Sequence, residues 1–134
     1  MKFLGYKPPF MGGYFILATV ASTKSQVIKI PFLIDTGCTI TTICYNDAVK
    51  MDIDFDKLVF DIPISVADGN ELLVSKLENI FIVFESDNTF LTEKLDKIYV
   101  KPFYTKKDTM SLLGLDIIER FSLKYIGNIV TLER

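Results

Sequence analysis

The apolar run Phe32-Leu33-Ile34 ends on an acidic residue, Asp35, and Thr36 and Gly37 follow at once. A carboxylate beside such a run costs free energy unless donors hold it or it has work to do. Gly two residues later lets backbone N–H groups come close to it. Thr36 can join a local network through its hydroxyl. The stretch therefore reads as a strand leading into a turn built around one carboxylate.

The surrounding segments are also strand-like. Residues 14–21 (YFILATVA) and 27–34 (VIKIPFLI) read as a hairpin across the polar turn Ser22–Gln26. Pro31 cannot donate to a ladder and belongs at an edge or a bulge. Residues 39–44 (TITTIC) read as a further strand, and Asn46–Met51 as a short helix capped by Asn46. Residues 60–66 and 71–77 flank Ala67-Asp68-Gly69-Asn70, a strong hairpin signal. Residues 79–85 and 97–104 read as strands, with a polar loop over Ser86–Asp96 between them. Apolar positions at Leu115, Ile118 and Phe121 predict one or two helical turns just after Gly114. A last hairpin closes around Gly127-Asn128. At 134 residues the chain is one domain, 1–134, with a Gly- and Pro-rich irregular arm over 1–13. Many short strands with one or two short helices imply a mostly β fold, a single lobe closed or folded over into a barrel.

Composition excludes several classes of function. The chain has no His, which removes Ser-His and Cys-His nucleophile pairs and most zinc sites. Its two cysteines, Cys38 and Cys44, are too few for a disulfide framework, so a reducing cytoplasm is the simpler setting. The net charge of −2, with no basic patch, gives nucleic-acid binding no support. No run reaches the ~18 apolar residues of a membrane helix. A signal-peptide reading is disfavoured because Pro8-Pro9 and Gly12-Gly13 interrupt the segment before the apolar run. Neither a metal nor a cofactor is expected.

A single carboxylate cannot both take a proton from water and return one to a leaving amine. Two carboxylates about 3 Å apart can share a proton, one acting as base and the other as acid. This chain holds one Asp-Thr-Gly. A second would have to come from another copy across a two-fold axis.

These residues carry a family resemblance. Asp35-Thr36-Gly37 after an apolar strand resembles the catalytic signature of aspartic proteases. Leu112-Leu113-Gly114 followed by a helix resembles the second motif of that family. Their spacing is similar to that of single-lobe, retropepsin-like proteases of retroviruses, retrotransposons, the DNA-damage-inducible type and small prokaryotes. Residues 65–74 (SVADGNELLV) fall where that family has its flap hairpin, and the likeness covers roughly residues 14–133. The resemblance implies an acid-protease barrel acting as a homodimer on an extended peptide or unfolded protein. Asp35 would activate the hydrolytic water. Thr36 would lock the two catalytic loops together across the dimer, and Gly37 would meet the substrate backbone. Leu112, Leu113 and Gly114 would support the active-site loop. Ala67, Asp68 and Gly69 would form the flap over the peptide. Cys38 stands where the family usually has Ala or Ser, and no Asp follows soon after the signature. These departures motivate a second reading on the same fold, a non-catalytic peptide-binding or assembly module.

Other features have plainer readings. The two thiols read as buried small residues, Asp116 and Glu119 as first-turn helix acids, and Lys106-Lys107-Asp108 as a solvated turn. The aromatic residues Phe3, Tyr6, Phe10 and Tyr14 read as an arm packing on its own barrel or on a dimer mate.

Overall fold

A computed structural model describes residues 1–66 and 68–134. Ala67, expected in the flap, lies outside the described residues. The strands are β1 (Lys2–Tyr6), β2 (Phe15–Ser22), β3 (Ile28–Ile34), β4 (Thr42–Ile43), β5 (Ile62–Ser65), β6 (Glu71–Ser86), β7 (Thr89–Val100), β8 (Ser111–Leu113), β9 (Ser122–Ile126) and β10 (Ile129–Glu133). Two short α-helices, α1 (Tyr45–Lys50) and α2 (Leu115–Ile118), and two single-turn 3-10 helices, Phe55–Lys57 and Phe103–Thr105, complete the regular structure of the described residues.

The sheet runs β5-β6-β7-β4-β8-β3-β2-β1-β10-β9, and a further β6–β2 pairing closes six of these strands into a ring. That is the closed, mostly β barrel expected from the sequence. Alternation fills it. Ile80, Ile82 and Phe84 of β6 point inward with Ile16 and Val20 of β2, Ile30 and Phe32 of β3, and Ile98 and Val100 of β7. This period of two is what a half-buried strand requires.

The expected hairpins over 14–34 and around Gly127-Asn128 form, with registers Phe15↔Leu33 and Ile129↔Ile126. Pro31 lies opposite Leu17, one residue before β3 begins to pair with β8 at Phe32↔Ser111. Its missing donor thus falls where β3 lacks that second neighbour.

Several elements differ from the sequence reading. The arm over 1–13 is not irregular throughout, because β1 pairs along its length with β10, from Lys2↔Glu133 to Tyr6↔Ile129. Its alternation is hidden by Gly5, where a Cβ would lie 2.4 Å from the Phe15 carbonyl oxygen. Phe3 is 1% exposed and meets Phe84 at 5.7 Å and Phe121 at 6.4 Å between ring centroids. Tyr14 packs on Tyr125 at 4.9 Å, whereas Tyr6 and Phe10 are exposed.

The two strands read over 71–77 and 79–85 are one strand, β6. Its ladder to β7 keeps register on both sides of Asn79, with Glu78↔Lys97 and Ile80↔Leu95. Asn79 has φ 56, a left-handed conformation that Asn tolerates. There the strand changes outer neighbour: residues 71–74 pair with β5, and residues 80–83 with β2. The polar loop over 86–96 is mostly β7. Asp87 (φ 42) and Asn88 (φ 68) alone make the turn, since Ser86 already faces Thr89. Two left-handed central residues define the type I′ hairpin turn.

Residues 39–44 contribute only Thr42–Ile43 to the sheet, and the strand read over 97–104 ends at Val100. Helix α1 starts at Tyr45, so Asn46 does not cap it. The Asn46 amide instead donates to the Lys106 carbonyl at 2.8 Å.

Candidate active site

Strands β3 and β8 run parallel and release the chain at the same end of the barrel. From β3 comes the turn Asp35-Thr36-Gly37. From β8 comes Gly114 and then α2. The ladder extends one step into the turn, as Asp35 N–H donates to the Leu113 carbonyl at 3.1 Å. The carboxylate is half-buried, and its Oδ1 accepts the Gly37 N–H at 2.9 Å. Cys38 N–H returns to the Asp35 carbonyl at 3.1 Å and closes the turn.

The second segment lies against this turn at very short range. A Cβ on Gly114 would fall 2.8 Å from Ile40 C, 2.8 Å from Thr41 N and 2.9 Å from Cys38 O. Backbone bonds tie the two loops, with Leu115 N–H to Cys38 O at 2.8 Å and Asp116 N–H to Thr39 O at 3.2 Å.

Sequence reasoning missed one pair that fixes this arrangement. Thr41, fully buried, donates its N–H (3.0 Å) and its hydroxyl (2.7 Å) to the Asp116 carboxylate, and its Oγ1 accepts the Gly114 N–H at 3.1 Å. Asp116 does lie in the first turn of α2, but its carboxylate clamps the loop after the Asp-Thr-Gly turn. A Thr in an apparent strand and an Asp in a helix carry no sequence signal that they meet. The same bonds draw residues 39–41 out of the sheet, since Thr41 spends its N–H and hydroxyl on Asp116 and Gly114 and only its carbonyl reaches β7, accepting the Tyr99 N–H at 3.0 Å.

Asp35, Gly37 and Leu112 line a cleft of about 810 Å³. Leu113 is buried behind it and Thr36 is exposed beside it. The β5–β6 hairpin gives the opposite wall through Ile64, Ser65, Val66, Asn70, Glu71 and Leu72. Asp68 and Gly69 sit in the turn beyond these lining residues. There Gly69 has φ 84, and the Asp68 carboxylate accepts the Asn70 backbone N–H at 2.8 Å. A third wall comes from Lys101, Thr105, Asp108 and Met110. Asp108 is not free in a solvated turn, because its carboxylate pairs with the Lys101 ammonium.

Cys38 also borders the cleft. Its thiol donates to the Ile40 carbonyl at 2.9 Å and lies 3.8 Å from Thr42 Oγ1. Burial pushes its pKa up, and the nearby Asp35 and Asp116 carboxylates push the same way, so the sulfur stays a neutral thiol. Cys44 is raised by burial as well, and its thiol donates to Asp47 at 3.2 Å. Among the described residues no group of three His, Cys, Asp or Glu side chains is placed to hold a metal ion. No helix among them is long and apolar enough to cross a membrane.

No protein-family model matches the chain. No curated protein matches it either. Solved structures do. One is a retropepsin-like aspartic protease from Rickettsia conorii, similar at 22% identity over 98% of this chain and 89% of that one, with a TM-score of 0.71. Another is the EIAV protease in complex with the inhibitor HBY-793, at 10% identity over 85% of this chain and 92% of that one, with a TM-score of 0.53. The chain has a retropepsin-like fold.

Proposed function

We propose that a chain with this fold and this turn is one half of an aspartic endopeptidase. The observation that carries the reading is Asp35. It lies in the floor of a peptide-sized cleft, its backbone pinned by Leu113 and one carboxylate oxygen held by Gly37 N–H. That leaves carboxylate lone pairs for water. Asp35 of the partner subunit would stand beside it, and the pair would share one proton. The ionised partner takes a proton from water as it attacks the scissile carbonyl. The protonated partner gives its proton toward the carbonyl oxygen and, on collapse, the amine leaves protonated. No covalent enzyme intermediate forms.

In this reading Thr36, exposed at the turn, meets its counterpart across the two-fold axis. Gly37 offers backbone to the peptide, Leu112, Leu113 and Gly114 hold the loop, and residues around Asp68-Gly69 close over the bound segment. The substrate is an extended peptide that pairs with strand edges and places alternate side chains in pockets.

The test is to incubate the protein with an unstructured protein substrate from about pH 3 to about pH 8 and read the cut sites by mass spectrometry. Cuts by the parent and none by Asp35→Asn are the expected result. Cleavage that survives in Asp35→Asn overturns the assignment. A folded dimer that binds peptides and never cuts them is instead the binding module that Cys38 suggests.

A further inference from the structure

We propose that Lys101 and Asp108 form a subsite of the cleft that selects a carboxamide side chain, glutamine or asparagine, in the bound peptide. The inference rests on the peptide-cleft reading above. Lys101 follows directly on β7, and its backbone N–H is fixed by the Ile43 carbonyl at 3.1 Å. Its side chain is 9% exposed, and its ammonium pairs with Asp108 Oδ2. Asp108 is itself held in place: its N–H donates to Thr105 O at 2.8 Å, and its Oδ1 accepts Met110 N–H at 3.1 Å. Both residues border the cleft, beside Thr105, Met110 and Leu112.

An ammonium carries three N–H donors. Among the described residues, Asp108 is the one hydrogen-bond acceptor that the Lys101 ammonium meets. The remaining donors belong to a side chain that is itself buried, where few waters reach them, so a ligand acceptor has value there. The charge of the site decides which acceptor. Lys101 and Asp108 cancel, and the other charged residues lining the cleft, Asp35 and Glu71, are acidic. A substrate carboxylate would add a negative charge to an acidic cleft. A substrate ammonium or guanidinium would face Lys101. An aliphatic side chain would leave the donors unmet. A carboxamide satisfies both partners without net charge, its C=O accepting from Lys101 and its NH₂ donating to a free lone pair of Asp108.

The test uses peptides that differ at one position, carrying Gln, Glu, Leu or Lys, with that position scanned on both sides of the cut bond. Two quantities are read: kcat/KM with the intact protein, and Kd with Asp35→Asn. At one position Gln should exceed Leu about tenfold in both, the scale of a hydrogen bond to a charged group. In the double variant Lys101→Met/Asp108→Leu the order at that position should invert. In Asp108→Asn, which keeps the ammonium and removes its neutralising charge, the preference should move from Gln to Glu. Each readout is a ratio within one protein, so partial misfolding does not mimic it. A flat Gln-to-Leu ratio in the parent, or a ratio unchanged in both variants, overturns the subsite. A Lys101-dependent binding preference without any cleavage overturns the hydrolase reading and leaves the subsite standing. Cleavage without such a preference does the reverse, and failure to bind or cut any peptide overturns both.

Discussion

Gly114 has backbone atoms of the Asp35 loop at 2.8 Å from where a Cβ would be, and backbone cannot swing aside as a side-chain tip can. Gly114→Ala should therefore lower stability by about 1–3 kcal/mol, read as a lower urea midpoint, and should depress cleavage further by displacing Asp35. The two thiols give a pH signature. Burial raises both above the ordinary thiol value, so the unfolded chain releases these protons at lower pH than the folded one. The stability they contribute is complete below the ordinary thiol pKa and is lost as pH rises through the folded value. Between about pH 8 and about pH 10 the parent's Tm should fall more steeply than that of Cys38→Ser/Cys44→Ala. Equal slopes would mean that the thiols are solvated. At this scale Asp35, Thr36 and Gly37 were legible in the sequence because neighbours in the chain build the turn. The clamp between Thr41 and Asp116 was not, because folding alone joins residues so far apart, and the pair between Lys101 and Asp108 was not, because the irregular turn that brings them together has no sequence pattern of its own.

Elements were legible where β-branched and aromatic runs are bounded by clear turn residues, as in β2, β3 and the closing β9–β10 hairpin. They were misread where a polar residue performs a backbone task. Asp87 and Asn88 look like part of a loop because polar residues follow them, yet both simply turn the chain between two long strands. Asn79 looks like a strand end, yet its left-handed φ of 56 lets one strand change neighbours without losing register. A β-branched residue resists that conformation. Asn79→Val should cost roughly 1–2 kcal/mol, while Asn79→Gly keeps the conformation accessible and should lose less. Chemical denaturation of the two variants side by side checks this. Equal losses would mean that the Asn side chain, and not its backbone, matters there.

For the whole molecule, closure depends on pairings distant in sequence. β6 meets β2 to shut the ring, and β1 meets β10 to extend it. Nothing local announces β1, whose contribution rests on Phe3 packed between Phe84 and Phe121. Phe3→Ala should cost about 3–5 kcal/mol in a thermal or urea melt, the loss of a fully buried aromatic. A loss below about 1 kcal/mol would show β1 to be a dispensable arm. The closed barrel also sets how the cleft wall is held. From Ser75 to Ser86, β6 is laddered to β7 all along its length, whereas, among the described residues, 71–74 are laddered to β5 alone. The β5–β6 ribbon is thus a cantilever, clamped in the barrel at its root and unsupported toward its tip. Load on such a beam should produce little displacement at Ser75, where the ladder to β7 begins, and most at Val66 and Asn70. The depth of the cleft should accordingly be fixed by the barrel, while the width of its mouth should change as the ribbon bends.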